Sequence, residues 1–166
     1  MTEKREMLRH YLAAIAYRLQ KALRDMPETF PEFRAGFETR SPHQLVCHIT
    51  NVLGFARTFF IGGAFSSRVP SDFRQDVAAF HDMLEDLNGH LANGTPFRGI
   101  TEERLLQGPF SDAMTHVGQV AMLRRLAGSP IPPEDFSSAD VSMNNLGPDQ
   151  PDPVSPDVDW PERPIR

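Results

Sequence analysis

Apolar residues recur every three or four positions in four long stretches, each bounded by residues that start or stop helices. In the first, residues 2–26, Leu8, Tyr11, Leu12, Ile15, Leu19, Ala22 and Met26 share one face, and Pro27 and Pro31 end it. The second, 41–61, opens on Ser41-Pro42-His43-Gln44. That is a serine cap, a proline at the first helical position and a glutamine three residues after the cap. Its face reads Leu45, Ile49, Val52, Phe55, Ala56, Phe59 and Phe60, and Gly62-Gly63 closes it. The third, 70–91, carries Phe73, Val77, Phe80, Leu84, Leu87 and Leu91. The fourth, 109–127, carries Phe110, Ala113, Val117, Val120 and Ala121 and ends at Gly128-Ser129-Pro130. A short helical turn at 101–106 precedes it, and Gly108-Pro109 forces a restart or kink between them. The period is helical throughout, so the expected fold is all-α, a four-helix bundle over residues 1–130.

Two segments break the pattern. Residues 27–40 are expected to form a loop pinned by Phe30, Phe33 and Phe37. Residues 131–166 form an irregular, acidic, proline-rich C-terminal extension: nine of the chain's fifteen prolines lie from 129 onward, which excludes regular helix over most of it. Phe136, Val141, Met143, Leu146 and the single tryptophan, Trp160, supply anchors that a disordered tail lacks. The extension is therefore expected to pack in part on the bundle or on a neighbouring subunit, with its last residues loose.

Length and charge narrow the function class. A chain of 166 residues suits one domain with a real core. No apolar run approaches the roughly 18 residues of a membrane span, and no signal-peptide pattern opens the chain. Cys47 is the only cysteine, which excludes an internal disulfide, and the expected setting is the cytoplasm. Eight of the 22 acids but two of the 17 bases lie in 134–166, leaving the rest of the chain near neutral. The bases of the first helix (Lys4, Arg5, Arg9, Arg18, Lys21, Arg24) read as a solvated face. Without interleaved aromatics they do not make a nucleic-acid surface. No glycine-rich phosphate loop, serine-histidine-acid order or flavin or nicotinamide fingerprint is present.

The candidate chemistry lies on the fourth helix. Asp112 and His116 are four residues apart, which stacks them on one face with Cβ atoms about 5–6 Å apart. A carboxylate and an imidazole so placed can share a metal ion, and the best third donor is His48, on the flank of the second helix. Each also has a plainer role. His48 suits a core-edge histidine bonded to a carbonyl, and His116 a packing residue. Asp112 suits a first-turn acid, favoured by the helix N-terminus by up to about 1 kcal/mol. Gln119, one turn beyond His116, fits either an outer hydrogen-bond donor or a helix–helix contact. His43 is expected to be exposed in the first turn of its helix, His10 to be solvated, and His81 to lie off the centre of its apolar stripe. Cys47 points about 100° away from His48 and reads as a small buried or half-buried residue.

The segments Ser41-Pro42-His43-Gln44-Leu45-Val46-Cys47-His48 and Phe110-Ser111-Asp112-Ala113-Met114-Thr115-His116-Val117-Gly118-Gln119 resemble the DinB-like superfamily of four-helix-bundle metalloproteins. Leu123-Arg124-Arg125-Leu126-Ala127-Gly128-Ser129-Pro130 follows in the same way, and the resemblance spans roughly residues 5–150. It implies a divalent metal ion held by His48, Asp112 and His116, with Asp112 standing where the family pattern has histidine. Zinc or nickel is the ion implied, and iron also accepts such a set. A divalent ion so held keeps open positions and acidifies a water or thiol that it binds. The implied function is a metal-dependent thiol transferase or hydrolase acting on a small molecule of unknown identity. The resemblance further implies a homodimer, with Phe59, Phe60 and Phe65 as the apolar candidates for its interface. The alternative is a non-catalytic bundle acting through self-association or partner binding.

Overall fold

The computed structural model of the protein describes residues 2–156. It is an all-helical bundle: α1 (Glu3–Leu23), α2 (Pro42–Ile61), α3 (Phe73–Ala92), a single turn α4 (Glu102–Leu105), and α5 (Ser111–Leu126). A wide turn at Leu106–Phe110 joins the last two. Among the described residues there is no strand, only an isolated bridge between Glu134 and Pro156. No helix among them is long and apolar enough to cross a membrane. The local start signals act as their chemistry dictates. The Ser41 hydroxyl accepts from the Gln44 amide at 3.2 Å while the Gln44 side chain accepts from the Ser41 amide at 3.0 Å, closing a reciprocal cap. Helix α3 starts at Phe73 rather than 70, because Asp72 is the residue whose carboxylate accepts the Gln75 amide.

Side-chain pairs fix the helix directions. Arg9 meets Asn88 while Gln20 meets His81, so α1 and α3 are antiparallel. His43 meets Asp76, Arg57 meets Asp86 and Phe60 stacks on His90, so α2 and α3 are parallel. Helix α5 runs antiparallel to α2 and parallel to α1. Its Arg124 donates to the carbonyls of Ala22 and Arg24 at the end of α1.

The parallel α2–α3 pair has a consequence for the surface. The connection 62–72 must return along a 20-residue helix, about 30 Å at 1.5 Å per residue. Eleven residues manage this only when nearly extended, so the crossover lies along α2. The Asn51 amide clamps it, donating to the Arg68 carbonyl at 2.9 Å and accepting from the Arg68 amide at 2.8 Å. Phe65 rests on Gly54, where a Cβ would come within 3.0 Å of its ring.

The core is built largely from the expected stripes: Leu12, Ile15, Leu19, Ile49, Phe80 and Leu84 are buried, together with Leu53, which lay outside them. Several expectations are corrected. Phe30 is buried and Phe33 half-buried, but Phe37 is fully exposed, carried outward at a φ of +52°. Phe55 is 46% exposed, whereas Phe60 is sealed in the core and offers nothing to a second chain. His43 is buried, because parallel α2 and α3 bring their first turns together. It hydrogen-bonds Asp76 at 2.8 Å and Glu32 at 3.1 Å. Burial would raise the Asp76 pKa, but the Ser71 amide, His43 and Arg68 outweigh it and hold the carboxylate ionised.

Of the bases of α1 Lys4 is exposed as expected, but most of the others are not a solvated face. Arg5 donates to the Thr95 carbonyl and lies over the Phe97 ring, and Arg18 lies 3.8 Å over Phe136. Lys21 pairs with Glu134, and Arg24 reaches Gln150, Pro151 and Asp152. Their partners come from the loop after α3 and from the extension, which covers this side of α1. Leu146 of the extension enters the core. Trp160 and the last residues, expected to be an anchor and a loose end, lie outside the described residues.

His81 is also buried, donating from Nδ1 to the Leu146 carbonyl at 2.5 Å. Burial lowers its pKa below the ordinary 6.5, against the pull of that carbonyl. The folded protein thus favours the neutral ring. Its contribution is fully present above the unfolded value and is lost as pH falls toward the folded one. Urea midpoints are expected to drop between about pH 7.5 and about pH 5.5, and the drop is expected to shrink in His81→Gln. Equal drops in the two proteins would remove His81 from the account.

Candidate metal centre

The wide turn before α5 sets the register of the site. Pro109 has no N–H to give and Gly108 leaves helical backbone (φ −91°, ψ −107°), so the helical ladder opens there. Ser111 closes it: its hydroxyl donates to the Leu106 carbonyl at 2.7 Å, and its amide points at the Leu106 and Gly108 carbonyls. Helix α5 therefore continues a preceding turn instead of starting free. Asp112 does not face a bare helix terminus, which takes away most of the reason for a helix-start acid at that position.

Antiparallel packing of α2 on α5 brings His48 against the Asp112–His116 pair. Each of the three offers one ligand atom, and these atoms lie within 4.8 Å of one another. Nε2 of His116 is 3.4 Å from Oδ1 of Asp112, and the rings of His48 and His116 meet edge to face with centroids 4.5 Å apart. Donors bonded at about 2.0–2.1 Å in a tetrahedral set lie about 3.3–3.4 Å apart. The pair on α5 already has that spacing. The His48 donor lies within 4.8 Å of the other two, and no hydrogen bond among the described residues holds that ring elsewhere. Together they form a His-Asp-His cluster that can hold a metal ion.

Protonation favours the same use. Oε1 of Gln119 is 2.8 Å from Nδ1 of His116 and accepts its proton, which leaves the Nε2 lone pair turned toward Asp112. A lone pair and a carboxylate oxygen at that distance are satisfied by a cation or a shared proton between them. Burial lowers the His48 pKa, Arg40 and His116 lower it further, and Asp112 only partly opposes them. The neutral, ligating ring is thereby favoured. His116 is buried, His48 half-buried and Asp112 exposed, so the cluster opens outward through its carboxylate.

The open side leads into a groove of about 730 Å³. Its floor is α2 at Val52 and Phe55. One wall is the crossover at Phe65 and Ser67, and the other is the turn at Gly108-Pro109 with the start of α5. Sequence reasoning missed this groove, since it depends on the parallel α2–α3 pair. The available signal was Gly54, a lone glycine inside a helical pattern, whose cost to the helix points to a packing reason. The other candidates lie apart from the cluster. His43 belongs to the Asp76 network, and Cys47 donates its thiol to the Arg68 carbonyl at 3.5 Å. Burial and the nearby Asp76 charge push that thiol's pKa up, so it is a poor nucleophile. His10 is exposed. Comparison with protein-family profiles, curated proteins and solved structures yields no match.

Proposed function

We propose that the chain is a DinB-like metalloprotein that holds a divalent ion between His48, Asp112 and His116 and acts on a small molecule by thiol transfer or hydrolysis. The observation that carries this reading is the convergence of three donor atoms from two helices to within 4.8 Å. Zinc or nickel suits two imidazoles and a carboxylate, and supplies Lewis acidity toward a thiol, water or carbonyl beside it. His48 and His116 bind as neutral rings, and Gln119 keeps the His116 tautomer correct. Asp112 offsets one of the ion's two charges, and the groove admits a small molecule to the side that the protein leaves open.

Metal analysis of freshly purified protein, followed by zinc titration of the parent and of Asp112→His, tests the reading. The parent is expected to hold about one ion per chain. Asp112→His keeps a ligand on the same helical face, matches the three-imidazole pattern, and is expected to bind zinc at least as tightly. If Asp112 serves only the helix, the change alters stability by a few tenths up to about 1 kcal/mol and leaves metal content alone. Equal, negligible binding by both proteins would sink the proposal and favour a non-catalytic bundle.

A further inference from the structure

We infer that the groove beside the cluster receives the uncharged, apolar tail of the substrate, an aryl or alkyl group, while the substrate's anionic head ligates the ion. This rests on the metal reading above and goes on to name the substrate class. Three observations carry it.

The first is charge. Apart from Asp112, itself one of the donors, no lysine, arginine, aspartate or glutamate lines the groove. A carboxylate or phosphate on the tail would find no counter-charge, and leaving water there would go uncompensated.

The second is that several polar side chains along the walls already have partners in the protein. The Ser111 hydroxyl donates to the Leu106 carbonyl and that of Thr115 to the Ser111 carbonyl. Both ends of the Asn51 amide are taken by the Arg68 backbone. These three side chains spend their donors on the protein and leave apolar surface as most of what this part of the wall offers a ligand. Of the polar side chains lining the groove, the His48 ring, itself a donor of the cluster, and those of Ser67 and Gln107 have no hydrogen-bond partner among the described residues.

The third is that the aromatic wall is built and held. Phe55 and Phe65 are 46% and 37% exposed, although Phe65 is seated on Gly54 and its strand of crossover is clamped by Asn51. Their rings meet edge to face at 6.4 Å, and Phe59 backs Phe55 at 5.1 Å. Two partly exposed rings held in place beside an open metal-binding cluster make an apolar subsite continuous with it.

Zinc-loaded, full-length protein titrated calorimetrically with three hydroxamates tests this. Acetohydroxamate carries the head alone, 4-phenylbutyrohydroxamate adds an aryl tail, and the monohydroxamate of glutaric acid adds a charged one. The aryl compound is expected to bind about tenfold or more tighter than acetohydroxamate, and the charged one no tighter. In Phe65→Ser, on the surface crossover, the aryl advantage is expected to vanish while zinc is retained. Gly54→Ala, whose methyl displaces the Phe65 ring, is expected to shrink it as well. Equal affinity for the aryl and acetyl compounds, a preference for the charged tail, or an aryl advantage unchanged in both variants would overturn the inference with the metal reading intact. Absence of zinc binding by the parent would overturn both, and the zinc titration run beforehand tells the two failures apart.

Discussion

Replacing Glu134 with alanine is expected to destabilise the fold by about 3–5 kcal/mol, the cost of leaving one member of a buried ion pair alone. The Glu134 side chain is entirely buried and that of its partner, Lys21, is 7% exposed. Tyr17 donates to the other carboxylate oxygen at 2.6 Å, and burial together with this bond raises the Tyr17 pKa. Alanine would strand an ammonium and a phenol inside the interface between α1 and the extension. It would also loosen Phe136, whose ring packs on Tyr17 and under Arg18. Urea unfolding measures the loss, and limited proteolysis should show earlier cutting after about residue 130. The triple change Lys21→Met, Glu134→Met and Tyr17→Phe should recover most of the stability, since it removes the ammonium and the phenol together with the carboxylate and apolar side chains of similar size need no partner. A loss below about 1 kcal/mol for Glu134→Ala would mean that the pair is solvated in solution.

What was legible in the sequence is what depends on neighbours along the chain. The Ser41–Gln44 cap, the break at Gly108-Pro109 and the four apolar stripes involve residues within a turn or two of each other. The same holds for the Asp112–His116 proximity, a matter of four residues on one helix. Helix direction was not legible, nor were contacts between segments far apart in the chain, and most misreadings follow from one or the other. His43 lay on the polar side of its own helix, so only the parallel placement of α3, with Asp76 opposite, explains its burial. Arg5, Lys21 and Arg24 looked solvated because their partners lie about a hundred residues away in sequence. Phe55 fell on the apolar arc but faces the groove that the crossover encloses. Gln119 was within reach of inference at three residues from His116. Its role as acceptor became definite only once Nε2 was seen turned toward Asp112.

Replacing His116 with alanine is expected to weaken zinc binding by more than the roughly 10–100-fold that losing an outer partner of a ligand costs. His116 is the hinge of the cluster. Its Nε2 is 3.4 Å from Asp112, its ring lies against His48, and its Nδ1 is held by Gln119. Gln119→Leu separates the two roles open to that glutamine. As the acceptor that fixes the tautomer, its loss should cost at least about tenfold in affinity. Because Gln119 is exposed, its loss should leave the unfolding midpoint unchanged. Were it only a helix contact, zinc affinity would not move. Binding should also weaken as pH falls, because protons compete for the imidazoles. The lowered His48 pKa moves proton competition at His48 to lower pH than at an ordinary imidazole. Zinc titrations of parent, His116→Ala and Gln119→Leu at two pH values decide it. Identical affinities across the three proteins would remove the ion from this cluster and leave His48 and His116 as packing residues.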